Sequence, residues 1–339
     1  MKIDLENHFA TELWMDALRN NEGYPRVEAD KGLGYHPDSW LPMGATGAQD
    51  RLLAPAELRI AAMDEAGIDF AVLSLTAPGV EQFPLEVGQS VARDANDRLA
   101  ATIARHPQRL GGFASLAVKD PEEAVRELER SVKELGFTGW ETHSNFGDSY
   151  LDEKVYWPIL AKSEELGVPI YLHPTVPSIP ELRSFGITLS GSNFGFGTDV
   201  MFVMLRMIAR GVFDAFPNLK VILGHLGEGL PFLLDRVDGG HKAGWAKPNP
   251  DIGPGSAHRN SYYLLHNMWV TTSGNYLPAA FYCTRDSIGI GKILLGTDYP
   301  YERMGEAVEF LDALDLSEDD RAKVSSGNAG ALSFGTKPR

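Results

Sequence analysis

The sequence predicts an α/β chain folded as a (β/α)8 barrel, and two observations carry that expectation. Short apolar strands alternate with longer amphipathic segments from one end of the chain to the other, with eight strand candidates in 339 residues. Barrels of this class run past about 250 residues as one unit, so residues 1–339 are expected to form one domain. The competing architecture is an open doubly wound sheet with a phosphate loop. Its signature, a strand followed by Gly-x-Gly-x-x-Gly or Gly-x4-Gly-Lys-Ser/Thr, does not occur.

The strands are expected at residues 2–6, 70–75, 110–116, 137–142, 169–173, 220–225, 268–273 and 292–297. Most are nearly continuous apolar runs, as strands buried on both faces require. Amphipathic segments at 54–65, 90–106, 121–135, 153–166, 199–216 and 306–314 supply the covering helices. Three insertions interrupt the alternation: residues 10–53 after the first strand, 174–197 after the fifth, and 238–265 after the sixth unit, the last containing Pro248, Pro250 and Pro254. Their Pro and Gly content predicts long loops acting as lids or binding segments.

Composition narrows the function. A net charge of −15 argues against nucleic acid or an anionic membrane as a partner. No apolar run approaches 18 residues, and the first residues are too charged for a secretory leader. The one cysteine, Cys283, excludes an internal disulfide framework and fits a reducing compartment, so a cytoplasmic protein is expected.

The chemistry gathers at strand ends. Residues 292–302 read Lys-Ile-Leu-Leu-Gly-Thr-Asp-Tyr-Pro-Tyr-Glu, an apolar run that delivers Asp298 to a strand's carboxyl end. A carboxylate in so dry a place is costly unless it holds a metal or a proton with a role. The first strand ends Glu6-Asn7-His8-Phe9, and side chains two apart on a strand face the same way. The fifth and sixth strands end in His173 and His225. A lone histidine or aspartate at a strand end is usually a cap or a core group. Donors on four strand ends in register with the barrel repeat instead suit a divalent transition metal with an open position. Of the other histidines, His143 also ends a strand and is the best placed to approach such a site.

With these residues quoted, a resemblance is evident. Glu6-x-His8-Phe9, Tyr171-Leu-His173-Pro, Leu223-Gly-His225-Leu-Gly-Glu228-Gly-Leu-Pro231, Thr271-Thr-Ser-Gly-Asn275 and Gly296-Thr-Asp298-Tyr-Pro-Tyr-Glu302 resemble the amidohydrolase superfamily. More narrowly, they resemble its branch of metal-dependent non-oxidative decarboxylases, acting on γ-resorcylate, 2,3-dihydroxybenzoate and 5-carboxyvanillate, and more distantly aminocarboxymuconate semialdehyde. The resemblance implies that Glu6, His8, His173 and Asp298 bind one divalent ion, Mn2+ or Zn2+ with Mg2+ also suitable, and that no organic cofactor is used. It places His225, backed by Glu228, beside the substrate, and makes Asp298, arriving protonated, the donor to the ring carbon. It offers Arg51, Arg59, Arg236 and Tyr301 as substrate contacts, and implies that Arg236 acts across a subunit interface. The implied substrate is a small aromatic acid with a hydroxyl ortho to its carboxylate, and the implied assembly is a homodimer or homotetramer. Tyr301 stands where the carboxyvanillate type carries tyrosine and the resorcylate type tends to phenylalanine, which favours a substituted, vanillate-like ring. Two departures from the hydrolase pattern, Glu6 in place of histidine and no lysine on the fourth strand, weigh against the alternative of a lactone or amide hydrolase.

Overall fold

The computed structural model describes residues 1–42, 47–244 and 255–335. Eight parallel strands form one sheet: β1 (Ile3–Phe9), β5 (Phe70–Leu75), β6 (Leu110–Ser115), β7 (Gly139–His143), β8 (Ile170–His173), β9 (Val221–Leu223), β10 (Met268–Thr271) and β11 (Ile293–Leu294), paired in that order. The sheet curls back on itself. Leu5 N–H donates to the Leu295 carbonyl at 2.9 Å and His8 N–H to the Tyr299 carbonyl at 2.7 Å, bringing the last strand against the first. The architecture is the expected (β/α)8 barrel. Several expected strand ends differ: β9, β10 and β11 stop hydrogen-bonding short of His225, Ser273 and Thr297, while β1 runs on to Phe9. A backbone that leaves the ladder to aim a side chain into a site cannot also pair with its neighbour.

Alternation sorts the side chains into two cores. Ala71, Leu73, Ala114, Trp140, Ile170, Leu172, Leu223 and Val270 face the surrounding helices. Val72, Phe113, Tyr171, Ile222 and Leu294 fill the barrel, closed below by Leu332 and Phe334 from the chain's last turn. The covering helices include α1 (Glu12–Asn20), α2 (Ala56–Ala66), α3 (Leu85–Arg105), α4 (Pro121–Lys133), α5 (Trp157–Leu166), α6 (Gly195–Ala209), α7 (Pro278–Ile288) and α8 (Met304–Ala313). Local signals account for their ends: Asp120 caps α4 by accepting from Glu123 N–H ahead of Pro121, and α2 and α5 stop at left-handed Gly67 and Gly167.

The first insertion is more ordered than its Pro and Gly content predicts. It contains α1, capped by Thr11 accepting from Trp14 N–H, and a small antiparallel sheet of β2 (Arg26–Glu28), β3 (Gly32–His36) and β4 (Ser39–Leu41). Trp14, Met15 and Leu18 bury one stripe of α1 in a cluster with Leu33 and Tyr35 that also takes in Val80, Phe83 and Val91, so the insertion packs onto the barrel's upper face. The second insertion forms only short turns, Pro180–Arg183 and Ile187–Ser190. Of the third, Pro248, Pro250 and Pro254 lie outside the described residues, and the helix Asn260–Asn267 leads into β10. Among the described residues no helix is long and apolar enough to cross a membrane.

Candidate active site

The site begins with a break in β1. Asp4 pairs with Ala71, but Asn7 pairs with Leu73, so β1 carries one extra residue between these points. Such a bulge re-aims the side chains that follow it. Ile3 and Leu5 join the barrel interior, yet Glu6 and His8 also turn inward, and Asn7 turns out. The outward groups form a buried brace. Thr297 donates to Asp4 through its N–H at 2.9 Å and its hydroxyl at 2.6 Å, and Arg59 donates to Asn7 Oδ1 at 2.7 Å and to the His8 carbonyl at 2.6 Å. This brace locks the strand bearing Glu6 and His8 to the segment bearing Asp298.

Inside, Glu6, His8, His173 and Asp298 each point one donor atom toward a common centre, all four within 4.8 Å of one another. Glu6 Oε1, His8 Nε2 and Asp298 Oδ1 are buried with no hydrogen-bond partner among the described residues, His8 Nε2 and Asp298 Oδ1 lying 3.1 Å apart. Unpaired buried polar atoms are rare, and three facing one point fit a cation better than a void. The second atoms of these groups are engaged. Glu6 Oε2 accepts from the Thr271 hydroxyl at 2.8 Å and from Ser273. His173 Nδ1 faces the Pro174 carbonyl at 2.8 Å, and His8 Nδ1 lies 3.2 Å from the Ser74 hydroxyl. For His173 the carbonyl fixes the proton on Nδ1 and leaves Nε2 as a lone pair, the form a metal needs. Burial, aided by His8 and His143, also holds His173 well below its usual range, hence neutral. Mixed imidazole and carboxylate donors on separate rigid strands suit one Mn2+, Zn2+ or Mg2+ ion.

His225 stands over this cluster, its Nε2 3.9 Å from Glu6 Oε1 and 4.0 Å from Asp298 Oδ2. Its Nδ1 lies 2.7 Å from Glu228 Oε1. The turn that presents the pair is unusual: His225, Leu226, Gly227 and Glu228 all have positive φ, between 50° and 75°. Two glycines make room for it. A Cβ on Gly274 would lie 2.6 Å from His225 Cδ2, and one on Gly197 would lie 2.4 Å from Glu228 Oε2. Burial works against a charge on His225, but Glu228 and then Asp298 and Glu6 outweigh it and raise the ring well above its usual range. Asp298 moves the other way. Burial acts to raise it, yet its contacts with His225 and His8 hold it below the usual carboxylate range. These opposite directions favour His225 over Asp298 as the holder of a shared proton in the free site, against the expectation that Asp298 arrives protonated.

The expected substrate contacts separate. Tyr301 stands at the site, its ring 5.8 Å from that of His8 and its hydroxyl 2.5 Å from Thr76 Oγ1. Arg51 is exposed, and its guanidinium donates to the Pro300 carbonyl at 3.1 Å, one residue from Tyr301. Arg236 is itself exposed, at the start of a short turn, Arg236–Asp238, whose Asp238 is buried, and among the described residues it is not part of the donor cluster. Arg59 is corrected outright: it is 5% exposed, committed to the brace behind β1 and set over the Tyr299 ring, so it faces away from the site.

Sequence reasoning missed the roles of four buried groups here, two acids and two hydroxyls. Glu141 lies two residues before His143 on the inward face of β7, and the same alternation that paired Glu6 with His8 would have found it. Burial first, and then Glu6, push Glu141 well above the usual carboxylate range. Glu81 sits in the loop after β5 beside His143 and left no signal in the sequence. Thr271 and Ser273 mattered as donors to Glu6 rather than as parts of a motif.

A barrel whose strand ends gather imidazole and carboxylate donors around one centre, with a histidine–carboxylate pair above it, defines a metal-dependent enzyme of the amidohydrolase kind. The chain belongs to that family: the amidohydrolase model matches residues 3–332. It is 37% identical to a γ-resorcylate decarboxylase of Polaromonas sp. over 98% of both chains. Among solved structures, the 5-carboxyvanillate decarboxylase of Sphingomonas paucimobilis superposes with a TM-score of 0.87 at 32% identity, over 98% of each chain. A dihydroxybenzoic acid decarboxylase of Polaromonas sp., solved with manganese and the inhibitor 2-nitroresorcinol, gives 0.83 at 36% identity, over 98% of this chain and 96% of that one.

Proposed function

We propose that the protein is a carboxy-lyase that removes carbon dioxide, without oxidation, from an aromatic acid bearing a hydroxyl ortho to its carboxylate. One observation carries the reading: the four-donor cluster with the His225–Glu228 pair beside it, in a chain similar over its length to decarboxylases of hydroxybenzoates. Glu6, His8, His173 and Asp298 would hold one divalent ion. When bound, that ion supplies positive charge and orientation for the neighbouring carboxylate and phenol oxygens of the substrate.

The reaction needs one proton at the carbon that bears the carboxylate. His225 holds that proton, kept charged by Glu228 against its burial. Asp298, 4.0 Å from His225 Nε2, takes it and passes it to the ring carbon. The carbon–carbon bond to the carboxylate then breaks, its electron pair restores the aromatic ring, and carbon dioxide leaves. Atoms and charge balance as carboxylate plus proton giving arene plus carbon dioxide. Tyr301 lines the ring's pocket beside His8. Phe232 is 80% exposed four residues before the equally outward Arg236. This supports a homo-oligomer in which Arg236 serves a partner's site, in a cytoplasmic protein with one cysteine.

The test is carbon dioxide release from a panel of ortho-hydroxybenzoates and 5-carboxyvanillate by the Mn-loaded protein. Release from at least one member is expected. No release from any, with hydrolysis of a lactone by the same preparation, sinks the proposal in favour of the hydrolase.

A further inference from the structure

Helix α6 joins two parts of the barrel's rim, and one buried acid on it takes no part in the mechanism above. Gly197 and Met201, four residues apart and so on one face of the helix, meet the turn that carries His225. A Cβ on Gly197 would lie 2.4 Å from Glu228 Oε2, and one on Gly229 would lie 3.1 Å from Met201 Sδ. The first turn of α6 is therefore the seat of Glu228, at the end of a helix that favours a carboxylate.

Asp199, two residues along, points elsewhere. It is fully buried, and its Oδ2 accepts from the Ser144 hydroxyl at 2.6 Å and from Asn145 Nδ2 at 2.8 Å. Both donors belong to the loop after β7, and each is tied to a further loop. Ser144 Oγ accepts from the Thr175 N–H at 3.2 Å, and Asn145 Nδ2 also donates to the Val176 carbonyl at 2.9 Å, both after β8. Asn145 Oδ1 accepts from Gln82 Nε2, after β5, at 3.4 Å. Two turns on, Arg206 repeats the attachment, donating to Asp152 Oδ1 at 2.7 Å and to its Oδ2 at 3.2 Å. One face of α6 is thus bolted to the loops after β7 and β8 while another seats Glu228.

Asp199 is a poor device for stability alone. Burial raises its carboxyl above the usual range against the pull of Ser144 and Asn145, and its Oδ1 has no partner among the described residues. A buried polar group with an unmet atom costs stability. What it supplies is direction: a hydrogen-bonded link holds the helix at one place along its neighbours, where apolar packing alone tolerates sliding.

We propose that Asp199 is a positioning residue for the proton step: by fixing the first turn of α6 against the loops after β7 and β8, it holds Glu228 against His225. The proposal rests on the decarboxylase reading for the step that suffers, and not for the geometry.

Crystal structures and kinetics of Mn-loaded variants test it. Asp199→Asn keeps an oxygen that accepts from Ser144 and Asn145, so its His225 Nδ1–Glu228 contact and its kcat on an ortho-hydroxybenzoate should stay near wild type. Asp199→Ala loses the link. Its contact, 2.7 Å in the wild type, should lengthen beyond about 3.5 Å. Its kcat should fall on the order of 10- to 100-fold, with KM within a few-fold and one manganese per chain by elemental analysis. In a Glu228→Gln background the same change should cost almost nothing further, because the charge that the link positions is already gone. An unchanged contact and kcat in Asp199→Ala overturns the proposal. An equal loss of kcat in both backgrounds, or a loss of manganese, also overturns it and makes Asp199 a support of the fold alone. Should Asp199→Ala not fold, Ser144→Ala removes one donor and leaves the acid; it should show a smaller version of the same pattern, and wild-type behaviour there overturns the proposal equally. Absence of carbon dioxide release from the wild type defeats the decarboxylase reading instead, and leaves the crystallographic distance to decide the positioning.

Discussion

At the residue scale the account turns on where one proton rests. Glu228 keeps His225 charged against burial, which places the group's ionisation above the ordinary histidine range. The sign follows directly. The protonated form is the competent one, so activity should hold through neutral pH and fall only on the alkaline side, at a limb above about 6.5. Glu228→Gln removes the charge that sustains this and should move the limb downward by at least about one unit. A pH–rate profile that keeps its alkaline limb in the variant would contradict the role given to Glu228. Arg59 carries a different prediction. Arg59→Met leaves Asn7 Oδ1 and the His8 carbonyl buried and unpaired, a cost of about 2–4 kcal/mol by thermal or denaturant unfolding. An unchanged stability with a raised KM would return Arg59 to the substrate. Its residue type and position suggested a substrate contact, and nothing in the sequence says on which side of β1 its side chain arrives.

At the scale of elements, what the sequence showed and what it hid divide along hydrogen-bonding pattern. The eight strands were legible because strands buried on both faces read as apolar runs, and Glu6 with His8 because strand side chains alternate. The bulge that turns Leu5 and Glu6 inward together was not legible, since it depends on register against β5. The small sheet of the first insertion was hidden too, because turn residues dominate its composition while Trp14, Leu33 and Tyr35 pack it onto the barrel. The strained turn after β9 presents His225 and Glu228, the pair to which the proposed reaction assigns the proton. Gly274, with φ of 61°, passes beneath the His225 ring. Gly274→Ala should cost about 1–3 kcal/mol in strain and contact. It should also displace the ring enough to lower kcat on the order of 100-fold. Wild-type turnover in a folded Gly274→Ala protein would show that the ring's position is not critical.

At the scale of the molecule, the barrel explains how an acidic chain can act on an anion. The net charge of −15 belongs to the whole chain, and several of its acids, Asp4, Glu6, Glu81 and Glu141 among them, are buried. The site is a buried chamber in which Glu6 and Asp298 converge with His8 and His173 on one cation position, and in which burial and neighbouring charges raise His225 and Glu141 above their usual ranges. Leu332 and Phe334 seal the far end, so ligands reach the chamber only from the strands' carboxyl ends, where the insertions lie. Fold class and the strand-end donors were legible because both repeat with the barrel, while the resemblance to the decarboxylase branch is what set His225 apart from the four residues that cluster. The Glu81–His143 dyad did not, because its members come from a loop and a strand end brought together only by folding.

The central claim, metal-dependent replacement of a ring carboxylate by a proton, is tested most directly in deuterium oxide. Mn-loaded protein is incubated there with an ortho-hydroxybenzoate that it turns over, and the products are read by NMR and mass spectrometry. The account predicts one deuterium at the carbon that carried the carboxylate, one carbon dioxide per product, and no reaction after chelation until manganese returns. Carbon dioxide release that persists in the chelated protein, or product lacking deuterium at that carbon, would contradict it.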